Sequence, residues 1–349
     1  MKLLLVKMSS LGDVVHTLPA VSDAVAHVPE LELDWVVEEA YLPIVAAHPG
    51  VAKPIPIAWR RWRSALGTHR PELRRFWREL RTRRYDLVLD AQGLVKSAVV
   101  AAFARGSRSA GFDHRSAREP IASVAYRRPI AVPREQHAVD RLRALFGQAL
   151  GYPAPRGAPR FGLERSKSAG TGPVVFLHGT TWRDKVWPEP FWRELAASAG
   201  AAGLRLLIPW GSLEERARAE RIAEGGAGAG CEVAPALDLA ELMRLLADAR
   251  AVVSVDSGLG HLAAALGTPV VGLFGPTDVR LTGLRGAIVS NLAADFPCAP
   301  CLARECAYRG APVSRGTFEV WPPCFARLPP ERVWAELVRV VQTREARVP

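Results

Sequence analysis

Three loops in the sequence carry polar residues where an apolar run gives way to a helical pattern. In the first, residues 9–13 follow the apolar run 2–7 and precede a helical pattern from Val14. The start of a helix offers unpaired N–H groups and the positive end of the helix dipole, so it stabilises a charged carboxylate. Asp13 is therefore a candidate proton acceptor or simply a helix cap, and spacing alone favours the cap.

The second loop, residues 178–188, begins where the apolar run 173–178 ends. It contains two adjacent hydroxyls, Thr180 and Thr181, and then the cation Lys185. Two hydroxyls and a mobile point charge suit a diphosphate, and open α/β sheets bind ligands at the carboxyl ends of their strands. The loop predicts diphosphate binding, with a solvated loop as the alternative.

The third loop, residues 256–263, again joins an apolar run to a helical pattern. Asp256 ends the run, Ser257 and two glycines follow, and His261 falls in the first helical turn. Glycines allow a close approach of the backbone, and the free N–H groups of a helix start suit a phosphate. A cap alone would not need Ser-Gly-x-Gly-His, so this loop is the stronger phosphate candidate. We expect residues 275–278 to border the same cleft.

These loops sit between strands and helices that alternate in two halves of the chain. Short continuous apolar runs, such as residues 2–7, 33–37 and 87–90, are typical of buried parallel strands. The alternation predicts an α/β fold with two doubly wound parallel sheets. The Gly/Pro-rich residues 151–159 and the polar residues up to Gly172 predict a linker. The predicted domains are 1–160 and 173–328, with a terminal helix in 329–349 for which the first domain is one candidate packing surface.

The composition indicates a two-domain globular protein with excess positive charge. The 349 residues include 46 Lys and Arg against 35 Asp and Glu, a formal net charge of +11, and the length favours two domains. Such a charge favours anionic partners. Between Arg60 and Arg84, ten arginines oppose only Glu72 and Glu79. This cluster predicts binding of an acidic substrate or lipid headgroup, with a solvated helix face as the alternative.

The chain start and the cysteines bear on where the protein works. No cleavage site follows the short apolar run in residues 1–7, and no stretch approaches the roughly 20 apolar residues that a membrane-spanning helix needs. We therefore expect a cytosolic protein, peripheral to the inner leaflet. Cys298 and Cys301 form a Cys-x-x-Cys pair, which is typical of structural zinc sites. Cys306 and Cys324 lack the usual spacing of a second pair, so free thiols are favoured. The late cysteines are Cys298, Cys301, Cys306 and Cys324.

Several other catalytic signatures are missing from the sequence. It has no G-x-x-x-x-G-K-[ST] phosphate loop, and residues 93–97 are too short to form one. No G-x-G-x-x-G follows the first predicted strand, which argues against a dinucleotide dehydrogenase. Neither H-E-x-x-H nor G-x-S-x-G occurs.

Seven segments together resemble the family-9 glycosyltransferases, which include the lipopolysaccharide heptosyltransferases. The resemblance extends from Met1 to about Asp278 and its motifs are highly specific, whereas residues 298–324 depart from the shorter family members. The fold it implies is the GT-B architecture, two Rossmann-like domains facing a cleft. The segments are 6–20 (VKMSSLGDVVHTLPA), 34–39 (DWVVEE), 90–97 (DAQGLVKS), 117–120 (AREP), 176–181 (FLHGTT), 209–211 (PWG) and 253–262 (VSVDSGLGHL).

The resemblance implies an inverting, metal-independent transfer without a cofactor. L-glycero-D-manno-heptose would move from ADP-heptose to the inner Kdo of Kdo2-lipid A. Single displacement needs one base for the hydroxyl proton and a positive environment for the leaving diphosphate. On this basis Asp13 is the expected base, and Lys185 and the helix start after Asp256 are expected to stabilise the leaving group.

The resemblance also implies the other site residues, with no metal among their ligands. Glu214 or Glu215 is expected to bind the nucleotide after the Pro-Trp-Gly motif. The other donor-binding residues are Ser10, Gly12, Thr180, Thr181, Lys185, Leu237, Asp256, Ser257, Gly258, Leu259 and His261. The acceptor-binding residues are Arg60, Arg61, Arg63, Lys96 and Arg118.

Two other functions stay open at this point. One is a family-9 heptosyltransferase that adds the second or third heptose, although residues 60–63 and 34–39 favour the first-heptose enzyme. The other is a nucleic-acid-binding protein, because aromatic residues interleave with arginines over residues 59–78, but no known motif accompanies them. We expect ADP-heptose, Kdo2-lipid A and an anionic membrane as partners, and no nucleic acid.

Overall fold

The chain divides into two compact units, residues 1–164 and 165–349. The computed structural model describes residues 1–64, 67–163, 171–226 and 230–346. The division falls within the predicted linker 151–172, of which residues 164–170 lie outside the described ranges.

The first unit is built on a parallel sheet flanked by helices. Its described strands are β1 (Lys2–Val6), β2 (Glu32–Glu38), β3 (Lys53–Ile57), β4 (Leu87–Asp90), β5 (Ser109–Phe112) and β6 (Arg128–Ile130). They form one six-stranded sheet in the order β3-β2-β1-β4-β5-β6. Its α-helices are α1 (Leu11–His27), α2 (Leu42–Ala46), α3 (Trp59–Trp62), α4 (Arg70–Leu80), α5 (Val95–Phe103) and α6 (Ala138–Leu150), and 3-10 helices cover Glu39–Tyr41 and Pro120–Ala125.

The second unit repeats this plan. Its described strands are β7 (Val174–Leu177), β8 (Leu206–Ile208), β9 (Cys231–Val233), β10 (Ala251–Val255), β11 (Val270–Phe274) and β12 (Val289–Ala293), followed by the short pair β13 (Ser314–Arg315) and β14 (Phe318–Glu319). The first six form a sheet in the order β12-β11-β10-β7-β8-β9. Its α-helices are α7 (Glu189–Ala201), α8 (Leu213–Gly225), α9 (Leu239–Asp248), α10 (Gly258–Ala265), α11 (Val279–Thr282) and α12 (Pro330–Glu345), and 3-10 helices cover Arg183–Lys185 and Pro323–Arg327.

Both six-stranded sheets share one strand order. Numbered from the first strand of each unit, both follow 3-2-1-4-5-6, and the order reverses between β1 and β4 and between β7 and β10. The pairings are parallel throughout the two sheets. Open sheets of this kind bind ligands outside the carboxyl ends of the strands at the reversal point. The predicted α/β class with two doubly wound parallel sheets is confirmed.

Helix α1 is held against α6 by a buried ion pair. Arg143 Nε donates to Asp23 Oδ2 over 2.6 Å, and both side chains are 5% exposed. Arg143 Nη1 also donates to the carbonyl of Gly157 at 2.8 Å. Removing one partner of such a pair typically costs about 3–5 kcal/mol. The pair therefore helps to fix the orientation of α1 within the first unit.

The last helix belongs to the second unit. Helix α12 packs against α7 and against β10, β11 and β12, and it buries Val333, Leu337 and Val340. Arg344 Nη1, also buried, donates to the carbonyl of Ala249 at 2.7 Å. The apolar face of α12 is thus covered within its own unit.

Candidate active site

The loop after β1 holds Asp13 in a hydrogen-bonded capping arrangement. Helix α1 begins at Leu11, two residues before Asp13, and Ser10 is its N-cap. The backbone N and the Oγ of Ser10 both donate to Asp13 Oδ2 at 2.9 Å. The other oxygen, Oδ1, lies 3.5 Å from Lys7 Nζ, and the Asp13 side chain is 35% exposed. Asp13 can therefore both cap the helix and act as a base, because only one of its carboxylate oxygens accepts the hydrogen bonds from Ser10. Gly12 lies in the same helical turn.

The charges around Asp13 keep it ionised. Burial by itself raises the pKa of the Asp13 carboxyl, but Lys7, the hydrogen bonds from Ser10 and the nearby His16 outweigh it and hold the pKa well below its usual range. The carboxylate form needed to accept a proton is thus present at physiological pH. Its basicity is weak, so it suits proton transfer at a late stage, when bonding to carbon has made the attacking hydroxyl acidic.

The loop after β4 supports the loop after β1. Lys7 Nζ donates to the carbonyl of Ala91 at 3.1 Å, and Met8 N donates to Gln92 Oε1 at 2.7 Å. Because β1 and β4 flank the reversal point, these bonds connect the two loops that border the expected ligand position. Neither Lys7 nor Gln92 was a predicted site residue. Both lie in segments that carry the family resemblance, and that was the only signal that could have found them.

A basic cluster lies beside these two loops. Lys96 Nζ donates to Ser9 Oγ at 3.0 Å. Burial lowers the pKa of Lys96. The nearby charges of Arg60 and Arg63 lower this pKa further, whereas Glu38 raises it. Charges that influence one another in this way lie within short range. We call Lys96, Arg60 and Arg63 the basic cluster, since both arginines act electrostatically on the lysine.

Arg61 is placed differently from its neighbours. Its guanidinium pairs with Glu39 over 3.1 Å and with Glu72 over 2.8 Å, and hydrogen bonds from Arg61 to the two carboxylates raise the pKa of Arg61. The charge of Arg61 is already compensated within its own unit. Arg60 and Arg63 are therefore better candidates for direct contact with an acidic ligand.

The loops after β7 and β10 meet at Asp256. Lys185 Nζ donates to Asp256 Oδ2 at 2.6 Å, and Thr180 Oγ1 donates to the Asp256 carbonyl at 3.2 Å. His261 Nε2 lies 3.8 Å from Asp256 Oδ1. Burial alone raises the pKa of Asp256, but His261 and Lys185 outweigh it and hold the pKa well below its usual range. Because a carboxylate repels a diphosphate, Asp256 is better placed to position the cation and the imidazole than to contact phosphate.

The start of α10 offers backbone donors next to Asp256. Ser257 is the N-cap, and its Oγ accepts a hydrogen bond from Gly260 N at 3.4 Å. A Cβ on Gly260 would lie 2.6 Å from Ser254 Oγ. A side chain at residue 260 would therefore collide with Ser254, which gives Gly260 a packing role in the second unit. Gly258 and Leu259, in the first turn, remain candidate N–H donors to a phosphate.

The structure separates Glu215 from Glu214. Gly211 N donates to Glu215 Oε2 at 2.7 Å, and a Cβ on Gly179 would lie 2.2 Å from Glu215 Oε1. The Glu215 carboxylate thus lies against the loop after β7. The Glu214 side chain is 87% exposed and lies 3.6 Å from Arg218. Of the two predicted alternatives, Glu215 is therefore the better candidate for binding a nucleotide.

Comparison with known proteins assigns the chain to a family. The model of glycosyltransferase family 9 (heptosyltransferase) matches residues 73–311. The chain belongs to this family. It is 50% identical over 346 residues to lipopolysaccharide heptosyltransferase 1 of Pseudomonas aeruginosa, with 97% of each chain covered. It is also similar to two solved structures, E. coli heptosyltransferase WaaC with ADP (TM-score 0.79, 43% identity) and with ADP-2-deoxy-2-fluoro heptose (TM-score 0.76, 42% identity), each covering 84% of this chain and 93% of the other.

Membership of glycosyltransferase family 9 confirms the predicted enzyme class, a heptosyltransferase of lipopolysaccharide synthesis. The likeness to the heptosyltransferase structures confirms the GT-B fold class. The roles of individual residues stay predictions. For this family-9 enzyme, the structure brings Thr180, Lys185, Asp256, Ser257 and His261 together in the second unit.

The remaining predicted residues of the family-9 enzyme lie in loops. Thr181 is exposed after Thr180, and Leu237 is half-buried shortly before α9. Arg118 is exposed in the loop after β5, and the neighbouring Glu119 accepts a hydrogen bond from Val95 N at 2.7 Å. That bond ties the Arg118 loop to the start of α5, where the basic cluster has its lysine.

The late cysteines of this family-9 enzyme gather beside Asp184, in the loop after β7. Burial, and then the nearby Cys306, Cys298 and Cys301, raise the pKa of the Cys324 thiol to about 12. All four are free thiols. They line one cavity of about 20 Å³, which Asp184 and Pro276 also border.

Proposed function

We propose that this enzyme transfers L-glycero-D-manno-heptose from ADP-heptose to the inner Kdo of Kdo2-lipid A. The observation that carries the donor assignment is the Lys185–Asp256 pair beside the start of α10. It offers a cation and backbone N–H groups to a diphosphate. Two similar proteins, a lipopolysaccharide heptosyltransferase 1 and a heptosyltransferase solved with ADP, support the proposal.

In the proposed reaction, the acceptor hydroxyl oxygen bonds to the anomeric carbon of the heptose as the bond from that carbon to the diphosphate oxygen breaks. The hydroxyl proton passes to Asp13, and ADP leaves with the electron pair of the broken bond. Lys185 and the N–H groups of Gly258 and Leu259 stabilise the negative charge that grows on ADP. A single displacement inverts the anomeric centre, and the proposal assigns no step to a metal or cofactor.

The basic cluster is proposed to bind the anionic groups of the acceptor. Kdo carries a carboxylate and lipid A carries phosphates, and guanidinium groups pair with both through parallel hydrogen bonds. The cluster adjoins Asp13, because Lys96 donates to Ser9 and the next residue, Ser10, donates to Asp13. An anion held there would bring a neighbouring sugar hydroxyl towards the proposed base.

We also propose that the enzyme works as a peripheral protein on the cytoplasmic face of the inner membrane. No helix within the described ranges is both long enough and apolar enough to cross a bilayer. An apolar patch lies on α5 and on the 3-10 helix Pro120–Ala125, which pack together. Apolar side chains with basic neighbours suit an anionic lipid surface. The patch comprises Val95, Val99, Phe103, Ile121 and Val124, which are 41–80% exposed, and the exposed Arg105, Arg118, Arg127 and Arg128 flank the two helices in sequence.

The membrane proposal is tested by co-sedimentation with phospholipid vesicles. The variant Ile121→Ser/Val124→Ser should bind anionic vesicles more weakly than the native enzyme. Leu213→Ser is the matched control, because Leu213 is 77% exposed but lies in the second unit. Equal binding by the patch variant and the native enzyme would contradict the proposed surface.

The transfer reaction is tested by ADP release from ADP-heptose, with Kdo2-lipid A, with heptosylated Kdo2-lipid A, and without acceptor. We expect release that depends on Kdo2-lipid A, and a lipid product heavier by one heptose. Release only with the heptosylated acceptor would identify a family-9 enzyme for a later heptose. No release with either would overturn the proposal, and polynucleotide binding that resists moderate salt would support the nucleic-acid alternative.

A further inference from the structure

Four cysteines form a cluster that the transferase reaction does not use. They line one cavity of about 20 Å³, close to the space that a single water or ion occupies. The fifth cysteine, Cys231, lies apart from them in the edge strand β9. The clustered residues are Cys298, Cys301, Cys306 and Cys324.

We propose that these four cysteines bind one zinc or iron ion in a tetrahedral thiolate site. Thiolate sulfur is a preferred donor for both ions, and four protein ligands leave no open position, which is typical of a structural site. Binding releases the thiol protons to solvent and changes no oxidation state. This assignment replaces the free thiols that the sequence spacing favoured.

The site closes on metal binding. In the described ranges, no three Cys, His, Asp or Glu side chains already stand in metal-binding geometry. Cys298 and Cys301 are exposed, and rotation about χ1 moves a cysteine sulfur without moving the backbone. Because Cys298 and Cys301 already line the cavity, such rotations can bring their sulfurs towards those of Cys306 and Cys324.

The segment that carries the cluster also contacts the loop of Lys185. Cys306 N donates to the carboxylate of Asp184, the residue before Lys185. The Arg304 guanidinium lies 5.3 Å from the ring centre of Trp182, and Lys185 Nζ lies 4.3 Å from the same ring centre. A metal ion that rigidifies this segment would therefore help to position Lys185, a consequence that rests on the donor role proposed above.

The test measures bound metal and thiols in the full-length chain, purified under reducing, anaerobic conditions without a metal-binding tag. We expect about one zinc or iron ion per chain by elemental analysis, as for a structural four-cysteine site. Cys298→Ser/Cys301→Ser should lose the ion and show a lower melting temperature. Cys231→Ser is the matched control. It should keep the ion, and its other four thiols should stay unreactive towards a thiol reagent.

Protein that holds no metal, even after incubation with Zn²⁺ or Fe²⁺, and that shows five reactive thiols would overturn the proposal. A disulfide between Cys298 and Cys301 in place of bound metal would overturn it too. Metal-loaded protein without heptosyl transfer would leave the site standing and contradict only the proposed function. If Cys298→Ser/Cys301→Ser loses the ion but keeps the native KM for ADP-heptose, the positioning of Lys185 is contradicted.

Discussion

Lys185 Nζ and the Asp256 carboxylate form an ion pair of 2.6 Å, with side chains 15% and 7% exposed. The cation at the candidate donor site is thus already matched by an internal carboxylate. A diphosphate must compete with Asp256 for Lys185. A simple anion with fewer contacts gains little binding free energy from that competition. Under the proposed function, the pair would favour a ligand that also uses the helix start of α10, and so would favour ADP-heptose over free phosphate.

Replacing Lys185 should impair use of the donor. In Lys185→Ala we expect kcat/KM for ADP-heptose to fall by about 10²–10³, as when one charge-stabilising group is removed. The variant also leaves Asp256 buried without its partner, which costs about 3–5 kcal/mol. Steady-state kinetics and thermal unfolding of Lys185→Met/Asp256→Asn separate the effects, because the double variant should regain stability but not kcat/KM. A native kcat/KM in Lys185→Ala would show that Lys185 serves only as the counter-ion of Asp256.

Asp13→Asn should keep donor binding but lose most turnover. Loss of a general base typically lowers the rate by about 10²–10⁴. The fold should persist, since the amide still has an oxygen to accept the bonds from Ser10. Calorimetric titration with ADP checks that donor binding persists, and single-turnover kinetics measure the loss of turnover. Turnover near that of the native enzyme would remove Asp13 from the role of base.

Lys7→Met should shift the acid limb of the pH profile to higher pH. Lys7 helps to lower the pKa of Asp13, so the native carboxylate stays charged until the pH falls through a value well below the usual carboxyl range. Without the cation the pKa rises, and the proton-accepting form is lost at a higher pH. Profiles of kcat for both proteins measure the shift. Superimposable acid limbs would show that Lys7 does not act on the group that controls turnover.

The two glutamates at the start of α8 should differ when each is replaced. Glu215→Gln should raise the KM for ADP-heptose about tenfold or more, because a charged hydrogen bond is worth about 1.5–3 kcal/mol. Glu214→Gln is the matched control and should change little, as its side chain is 87% exposed. Donor kinetics of the pair decide the assignment. A larger effect from Glu214→Gln would reverse it.

Arg60→Ala/Arg63→Ala should raise the acceptor KM and leave the donor KM unchanged. Salt should weaken acceptor binding less in this variant, because exposed charges are screened over about 8–10 Å. Arg74→Ala/Arg75→Ala removes the same charge from the exposed face of α4 and serves as the control. Both KM values should be measured across a salt series. Equal behaviour of the two variants would mean that only net charge matters.

The central strands could be predicted from sequence because they are buried on both faces. Residues 3–6 of β1 are fully buried, so they read as one apolar run. Strand β3 could not be predicted from the sequence, because Pro54 and Pro56 argue against a strand. It tolerates them because it lies at the sheet edge and pairs only with β2.

The site could be predicted only in part. Asp13, Lys185 and Asp256 stood out because each lies close to where an apolar run of the sequence gives way to a helical pattern. The bonds from Lys7 and Met8 to the loop after β4 join residues 84 positions apart, and no local pattern encodes such a meeting. Adjacent helix residues such as Glu214 and Glu215 point in different directions, so only the structure separates them.

The buried pair of Asp23 and Arg143 joins the helix of the proposed base to a helix that carries none of the candidate site residues. Loss of that pair would let α1 settle at a new angle and carry Asp13 away from Lys7, which follows β1. A strain with a change at Arg143 would thus present as transferase-deficient although every group that handles substrate is intact. Suppressor mutations in such a strain would arise along the contact of α1 with α6, far from the chemistry they restore.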